Sequence, residues 1–183
     1  MSMGGSVTKI EYAPLTGDNF HAASLDGFVR RQEVEACWRR QDGRLTLVPC
    51  RFTEDWDAAA LRLTAQSVLR GMAQGFAFGA FTGTQVIGFA MASGKTFGSR
   101  GQYMELRMLQ VSQPFRRQGI GRALFSLVCE EARKLGAERL YISAHSSRES
   151  QAAYRRLGCT EAEEINRAIA DTEPFDIQME YRL

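Results

Sequence analysis

The chain has 183 residues, of which 44% are hydrophobic and 24% charged, and its formal net charge is +2. That length suits one domain with a sizeable core, and the composition is that of an ordinary soluble globular protein. So small a net charge argues against nucleic acid or an anionic membrane as partner. No apolar run approaches the roughly 20 residues of a membrane-spanning helix, and the Met1–Ser6 start has no signal-peptide apolar core.

In chain order, Val7–Tyr12 alternates weakly and reads as a first strand. Leu25–Arg40 scatters Phe28, Val29, Val34, Cys37 and Trp38 among charges, a pattern that predicts one or two helices. Gln41-Asp42-Gly43 is a turn. Leu45–Phe52 alternates, and Pro49 makes it an edge strand. Thr53-Glu54-Asp55-Trp56-Asp57 reads as a helix cap with acids in the first turn, for a helix ending near Leu69–Gly71. Phe76–Phe81 and Val86–Ala92 flank Thr82-Gly83-Thr84-Gln85 as a hairpin, followed by a Gly-rich loop over Ser93–Gly101. Tyr103–Val111 is a strand, Gly119–Leu135 a helix, and Arg139–Ala144 a strand. Glu149–Leu157 is a helix closed by Gly158, and Phe175–Tyr181 is the last strand. This is a mixed α/β (α+β) order, an antiparallel meander leading into a βαβα unit. The four cysteines are scattered without a Cys-x-x-Cys. They read as reduced, mostly buried thiols of a cytoplasmic protein. His21 and His145 are the only histidines, so no metal site is expected.

The turn between the strand ending at Val111 and the helix after Gly119 carries Arg116-Arg117-Gln118-Gly119-Ile120-Gly121. A strand-to-helix turn rich in glycine can aim several backbone N–H groups at one anion, with the helix dipole adding to the attraction. It reads as a grip for a pyrophosphate. It is not a nucleoside-triphosphate loop, since no Gly-Lys-Ser/Thr follows, and Leu124 stands where a dinucleotide fingerprint has its third glycine.

Arg116-x-x-Gly119-x-Gly121 resembles the Arg/Gln-x-x-Gly-x-Gly/Ala signature of the GNAT N-acetyltransferase superfamily. The resemblance extends over Phe76–Cys159. Ser147-x-x-Ser150-x-x-x-Tyr154-x-x-Leu157-Gly158-Cys159 is similar to the family's Asn-x-x-Ala-x-x-x-Tyr-x-x-x-Gly-Phe segment, with Ser147 in place of Asn and Cys159 in place of Phe. The resemblance implies a central, mostly antiparallel sheet with splayed middle strands, flanked by helices. It implies one domain over 1–183, with a cofactor-binding core at about 76–160 and the acceptor side and sheet completion in 1–75 and 161–183. It further implies acetyl-CoA as co-substrate, with no metal. The pantetheine arm would pair with the backbone of Leu109 and Val111, Gln110 pointing away. The pyrophosphate would be wrapped by Arg116, Arg117, Gln118, Gly119, Ile120 and Gly121, with Arg122 and Ser147 as further cofactor contacts.

Acetyl transfer to an amine needs a base for the incoming ammonium and an acid for the leaving thiolate. Tyr154 occupies the family's tyrosine position near the sulfur and is the expected acid, its plain alternative being a core aromatic. Glu105 is the expected base, working through water, its plain alternative being a surface glutamate at a strand end. His145 and the acids Glu54 and Asp55 are secondary site candidates. The function implied is an acetyl-CoA-dependent N-acetyltransferase acting on a primary amine of a small molecule or peptide, by direct attack on the thioester. The alternative is a CoA-binding regulatory or interaction domain with little or no catalysis. Neither nucleic acid nor membrane is an expected partner, and a homodimer is allowed.

Overall fold

The computed structural model describes residues 9–183. Its elements in chain order are β1 (Glu11–Pro14), β2 (Arg31–Gln41), β3 (Arg44–Asp55), α1 (Ala58–Met72), β4 (Gly75–Thr82), β5 (Gln85–Phe97), β6 (Tyr103–Val111), α2 (Ile120–Lys134), β7 (Arg139–Ala144), α3 (Arg148–Leu157), β8 (Thr160–Glu161), α4 (Arg167–Ala170) and β9 (Ile177–Arg182). Seven strands form one sheet in the order β1-β4-β5-β6-β7-β9-β8, and β2 with β3 makes a separate two-stranded arm. Every neighbouring pair in the large sheet is antiparallel except β6 with β7.

The sheet is covered on both faces. Ile120, Leu124, Phe125, Val128, Cys129 and Ala132 recur every three to four residues in α2 and are all buried, which is the stripe that docks this helix. They join Met104, Leu106, Leu140, Ile142 and Met179 in one core cluster. On the opposite face Leu61, Ala65 and Val68 of α1 pack with Phe20, Leu25, Phe28, Phe89 and Met91 in a second. The side chain of Asp57 accepts from the Ala60 N–H and caps α1.

Three expectations change. Leu25–Arg40 is not helical: residues 22–27 form turns, and Arg31–Gln41 is a strand. Its apolar residues Val34, Cys37 and Trp38 fit a helical period as well as they fit a bulged strand, and the register shift between Val34 and Ala36 is what reconciles them with pairing to β3. The acids Glu54 and Asp55 end β3 rather than opening α1, because the ladder continues to Arg31↔Asp55. The segment from Ser93 is not a loop. β5 runs on to Phe97, and Phe97 stacks on Tyr103 with ring centroids 5.6 Å apart. The first strand begins at Glu11, and Val7 and Thr8 of the expected strand lie outside the described residues.

Candidate functional site

β6 and β7 pair only over Tyr103↔Arg139, Met104↔Leu140 and Glu105↔Tyr141. Beyond that point β6 runs six more residues to Val111 and β7 three more to Ala144, with no pairing between them. The strands therefore splay into a V whose apex is at Glu105 and Tyr141. A bulge opposite Met91 and Ala92 leaves Arg107 unpaired just past that apex. The Ser112 N–H donates to the Ile87 carbonyl, so strand alternation turns the backbone groups of Leu109 and Val111 away from β5 and into the V.

The chain then turns sharply. A 3₁₀ turn over Gln113–Phe115 leads into Arg117 (φ 63°) and Gly119 (φ 81°), two residues in the left-handed region. Gly119 supplies that conformation without strain. The backbone N–H groups of Arg117 through Arg122 meet no acceptor among the described residues, and the first bond of the helix is Ala123 N–H to the Gly119 carbonyl at 3.0 Å. A Cβ on Gly121 would come no nearer than 3.7 Å, to Val111 Cγ2, so this surface is open. Arg116 serves the turn from within. Its Nε donates to the Val111 carbonyl at 3.0 Å and its Nη1 to the Arg31 carbonyl at 2.9 Å. Burial pushes its pKa down. Arg117 and Gln118 are exposed, Ile120 is anchored in the core, and Arg122 reaches the Arg156 carbonyl.

The far wall of the V is α3. Tyr154 packs its ring against the core, and its hydroxyl has no hydrogen-bond partner among the described residues. Burial pushes its phenol up, with the Cys159 thiol and the Asp176 carboxylate adding to the shift. Cys159, the departure from the family's phenylalanine, is buried in the core beneath it. Ser147 is 0% exposed. Its hydroxyl accepts from the Ser150 N–H at 3.2 Å and from Gln32 Nε2 at 3.1 Å, so it caps α3 and holds the arm. Those bonds give the side chain a capping role at the start of α3. Glu105 lies at the apex with Oε2 3.1 Å from Arg107 Nε. Tyr154 and Glu105 therefore stand on different walls, with no direct bond between them among the described residues.

The β2–β3 arm spans the mouth of the V. On the β6 side the Val29 N–H donates to Ser112 Oγ at 2.9 Å, and the Gln113 N–H to the Val29 carbonyl at 2.8 Å. On the β7 side the Trp38 N–H donates to the Ser146 carbonyl at 2.8 Å, and Arg39 Nη1 donates to Ser146 Oγ at 2.7 Å. Beneath the arm, Arg30 lies 5.5 Å over the Trp56 ring. It donates to Gln110 Oε1 and to Glu54 Oε2, both at 2.9 Å. Glu54 Oε1 is 3.4 Å from His145 Nε2, and His145 Nδ1 accepts the Ser147 N–H at 3.1 Å. The imidazole is thereby held between the start of α3 and Glu54. Arg30 and Asp176 escaped sequence reasoning, and Gln110 entered it only as a residue pointing away: the crossing of the arm over the sheet brings Arg30 onto Gln110, and the chain before β9 brings Asp176 to Ser143. Among the described residues no group of three or more His, Cys, Asp or Glu is placed to hold a metal ion, and no helix is long and apolar enough to cross a membrane.

Residues 42–159 match the model of the acetyltransferase (GNAT) family. No curated protein matches the chain. Among solved structures, nourseothricin acetyltransferase is 19% identical, with 94% of this chain and 98% of that one covered and a TM-score of 0.70. A Bacillus anthracis protein assigned as a streptothricin acetyltransferase, solved with acetyl coenzyme A, is 12% identical, with coverages of 96% and 99% and a TM-score of 0.68. A ribosomal-protein-alanine N-acetyltransferase from Brucella melitensis is 14% identical, with coverages of 86% and 96% and a TM-score of 0.56. At these identities the likeness is one of fold. The family match, the splayed β6 and β7, and the open amides before α2 agree: the chain belongs to the acetyltransferase (GNAT) family and is by that membership an N-acetyltransferase.

Proposed function

We propose that the chain moves the acetyl group of acetyl-CoA to a primary amine of a small molecule or peptide. The observation that carries this reading is the run of unpaired amides from Arg117 to Arg122, set directly beyond the backbone of Leu109 and the Val111 N–H, the Val111 carbonyl being taken by Arg116 Nε. An acceptor-free ridge of N–H groups at the positive end of a helix suits a pyrophosphate. An unpaired strand edge suits an amide-bearing arm laid alongside it. Arg116 shapes the turn through its bonds to Val111 and Arg31. Arg117, Gln118, Gly119, Ile120, Gly121 and Arg122 supply the amides, and the arginines add positive charge.

Bound acetyl-CoA supplies the activated acyl group. The residues supply orientation and two proton paths. Tyr154 is the acid: burial keeps its phenol protonated across the neutral range, and its hydroxyl is free to donate to the departing sulfur. Glu105 is the base through water, standing at the apex where the acyl group must lie if the pantetheine arm follows β6 from the turn. Its bond to Arg107 fixes its orientation. Holding amine and thioester together in the V turns a bimolecular encounter into an effectively unimolecular step.

Calorimetry with acetyl-CoA, with ATP and NAD as controls, tests the reading first. Selective binding of acetyl-CoA is expected, and its absence in folded protein removes the proposal. An amine panel followed by release of free CoA thiol then tests transfer. Binding without thiol release for any amine would leave the regulatory-domain alternative.

A further inference from the structure

Three carboxylates approach the acceptor side of the V, and they differ in what neutralises them. Glu105 pairs with Arg107 at 3.1 Å, and Glu54 pairs with Arg30 at 2.9 Å. Asp176, just before β9, forms no ion pair among the described residues. Its Oδ2 accepts from Ser143 Oγ at 3.1 Å, and Ser143 Oγ in turn accepts from Gln178 Nε2 at 2.9 Å. Its other oxygen has no partner. Gln178 is only 8% exposed, and its Oε1 is buried without a hydrogen-bond partner. One relay thus holds a half-buried carboxylate with a free oxygen and a buried amide whose carbonyl is idle. The Gln178 carbonyl is closed off from solvent, so the group a ligand can reach is the free Asp176 oxygen, and a ligand that neutralises it must donate and carry positive charge.

The surroundings agree. His145 and the carboxylates Glu173 and Glu54 are near enough to act on Asp176, and burial is the largest influence, holding its carboxyl above the ordinary aspartate range. Ser143 and His145 offset part of that rise, but His145 makes no bond to Asp176, because its Nδ1 is occupied by the Ser147 N–H and its Nε2 faces Glu54. Arg39 is turned onto the exposed ring of Phe175, 4.5 Å from its centroid, and not onto Asp176.

We infer that Asp176, backed by Ser143 and Gln178, binds a second positive charge of the acceptor, one distinct from the nitrogen that is acetylated. The inference rests on the transferase reading above and names its substrate class: a primary amine carrying a further cationic group. The distinction follows from proton chemistry. A carboxylate paired with the attacking ammonium would hold that nitrogen protonated and unreactive. Position separates the two sites as well. Glu105 faces Tyr141 at the apex, whereas Ser143 and the Ala144↔Ile177 pair lie two and three residues further along β7. That offset is roughly 7–10 Å at about 3.3 Å per strand residue, the span of a short aliphatic diamine.

The test uses cadaverine and n-pentylamine, which share one alkyl chain and differ in the second ammonium. Each is titrated by calorimetry into the CoA-saturated wild-type protein and into Asp176→Asn. Cadaverine is expected to bind wild type about tenfold more tightly than n-pentylamine, the effect of one ion pair part-shielded from water. In Asp176→Asn the two amines should bind alike, and Ser143→Ala should lose part of the preference. Equal binding of the two amines by wild type, no binding of cadaverine, or a preference that survives Asp176→Asn would overturn the inference. Thiol release from acetyl-CoA with the same amines is scored separately. A cation preference without thiol release would count against transfer to these acceptors and leave the cation site standing. Thiol release without a preference would do the reverse.

Discussion

The two sides of the V are built by different means. The proposed cofactor side, β6 with the turn and α2, is one contiguous stretch whose open groups are backbone amides and carbonyls. The proposed acceptor side is assembled from the arm, the end of β7 and the chain before β9, and its polar groups are side chains held by one another. Backbone recognition depends on chain conformation, and few side chains are needed beyond glycines that permit it. Side-chain recognition depends on residues distant in sequence: Arg30, Glu54, Gln110 and His145 meet only because the arm crosses the sheet. The first kind of side tolerates many side-chain changes, and the second kind does not.

Substitutions can break that contrast or sharpen it. The largest effect should come from Gly121→Glu. The added side chain has room, its Cβ lying 3.7 Å from Val111 Cγ2, so the fold should survive. Its charge would face the bound pyrophosphate, and repulsion of about 4 kcal/mol at close range corresponds to roughly a thousandfold loss of acetyl-CoA affinity by calorimetry. Arg30→Ala attacks the other side. It leaves Glu54 without its closest cation and removes the bond to Gln110 and the stacking on Trp56. Urea unfolding should show a loss of about 3 kcal/mol, with acetyl-CoA affinity nearly unchanged. Tyr154→Phe should lower kcat by about a hundredfold while acetyl-CoA still binds. Equal turnover would remove Tyr154 as the acid.

Smaller effects probe the electrostatics. Burial raises the carboxyl of Asp176 in the folded protein. As pH rises past the ordinary aspartate range, the unfolded chain releases this proton first, and the folded state loses relative stability until its own carboxyl ionises. Asp176→Asn should therefore melt higher than wild type at pH 7, and the difference should shrink towards zero as the pH is lowered below that window. At the bottom of the scale, Arg40 and Glu161 form an ion pair exposed on both sides, and Arg40→Ala should cost no more than about 0.5 kcal/mol in urea unfolding.

Local pattern carried much of the fold. The α2 stripe, the β4–β5 hairpin, β6, β7 and α3 with its Gly158 stop all stand where the sequence placed them, within a residue or two except that β5 continues to Phe97. Each is fixed by a short-range rule: apolar period, turn chemistry or a left-handed glycine. The arm failed the same rules. Val34, Cys37 and Trp38 recur three and four residues apart because a bulge interrupts a strand, and that interruption exists only through pairing with β3. The tie of Ser147 to the arm was likewise hidden, since its partner Gln32 lies on β2.

By itself, then, the sequence determined the conformation of the turn proposed to bind phosphate, because Gly119 and Gly121 act through their own few residues, and it determined the place of Tyr154 on α3 through its spacing on one helix. Only the tertiary structure decided where the V opens, what roofs it and which carboxylate is left without a cation. Those outcomes depend on the register of β6 against β7 and on the arm lying across both. Charge compensation is a property of neighbours in space, and residues as far apart in sequence as Glu54, Ser143 and Asp176 carry no local sign of which of them will be paired.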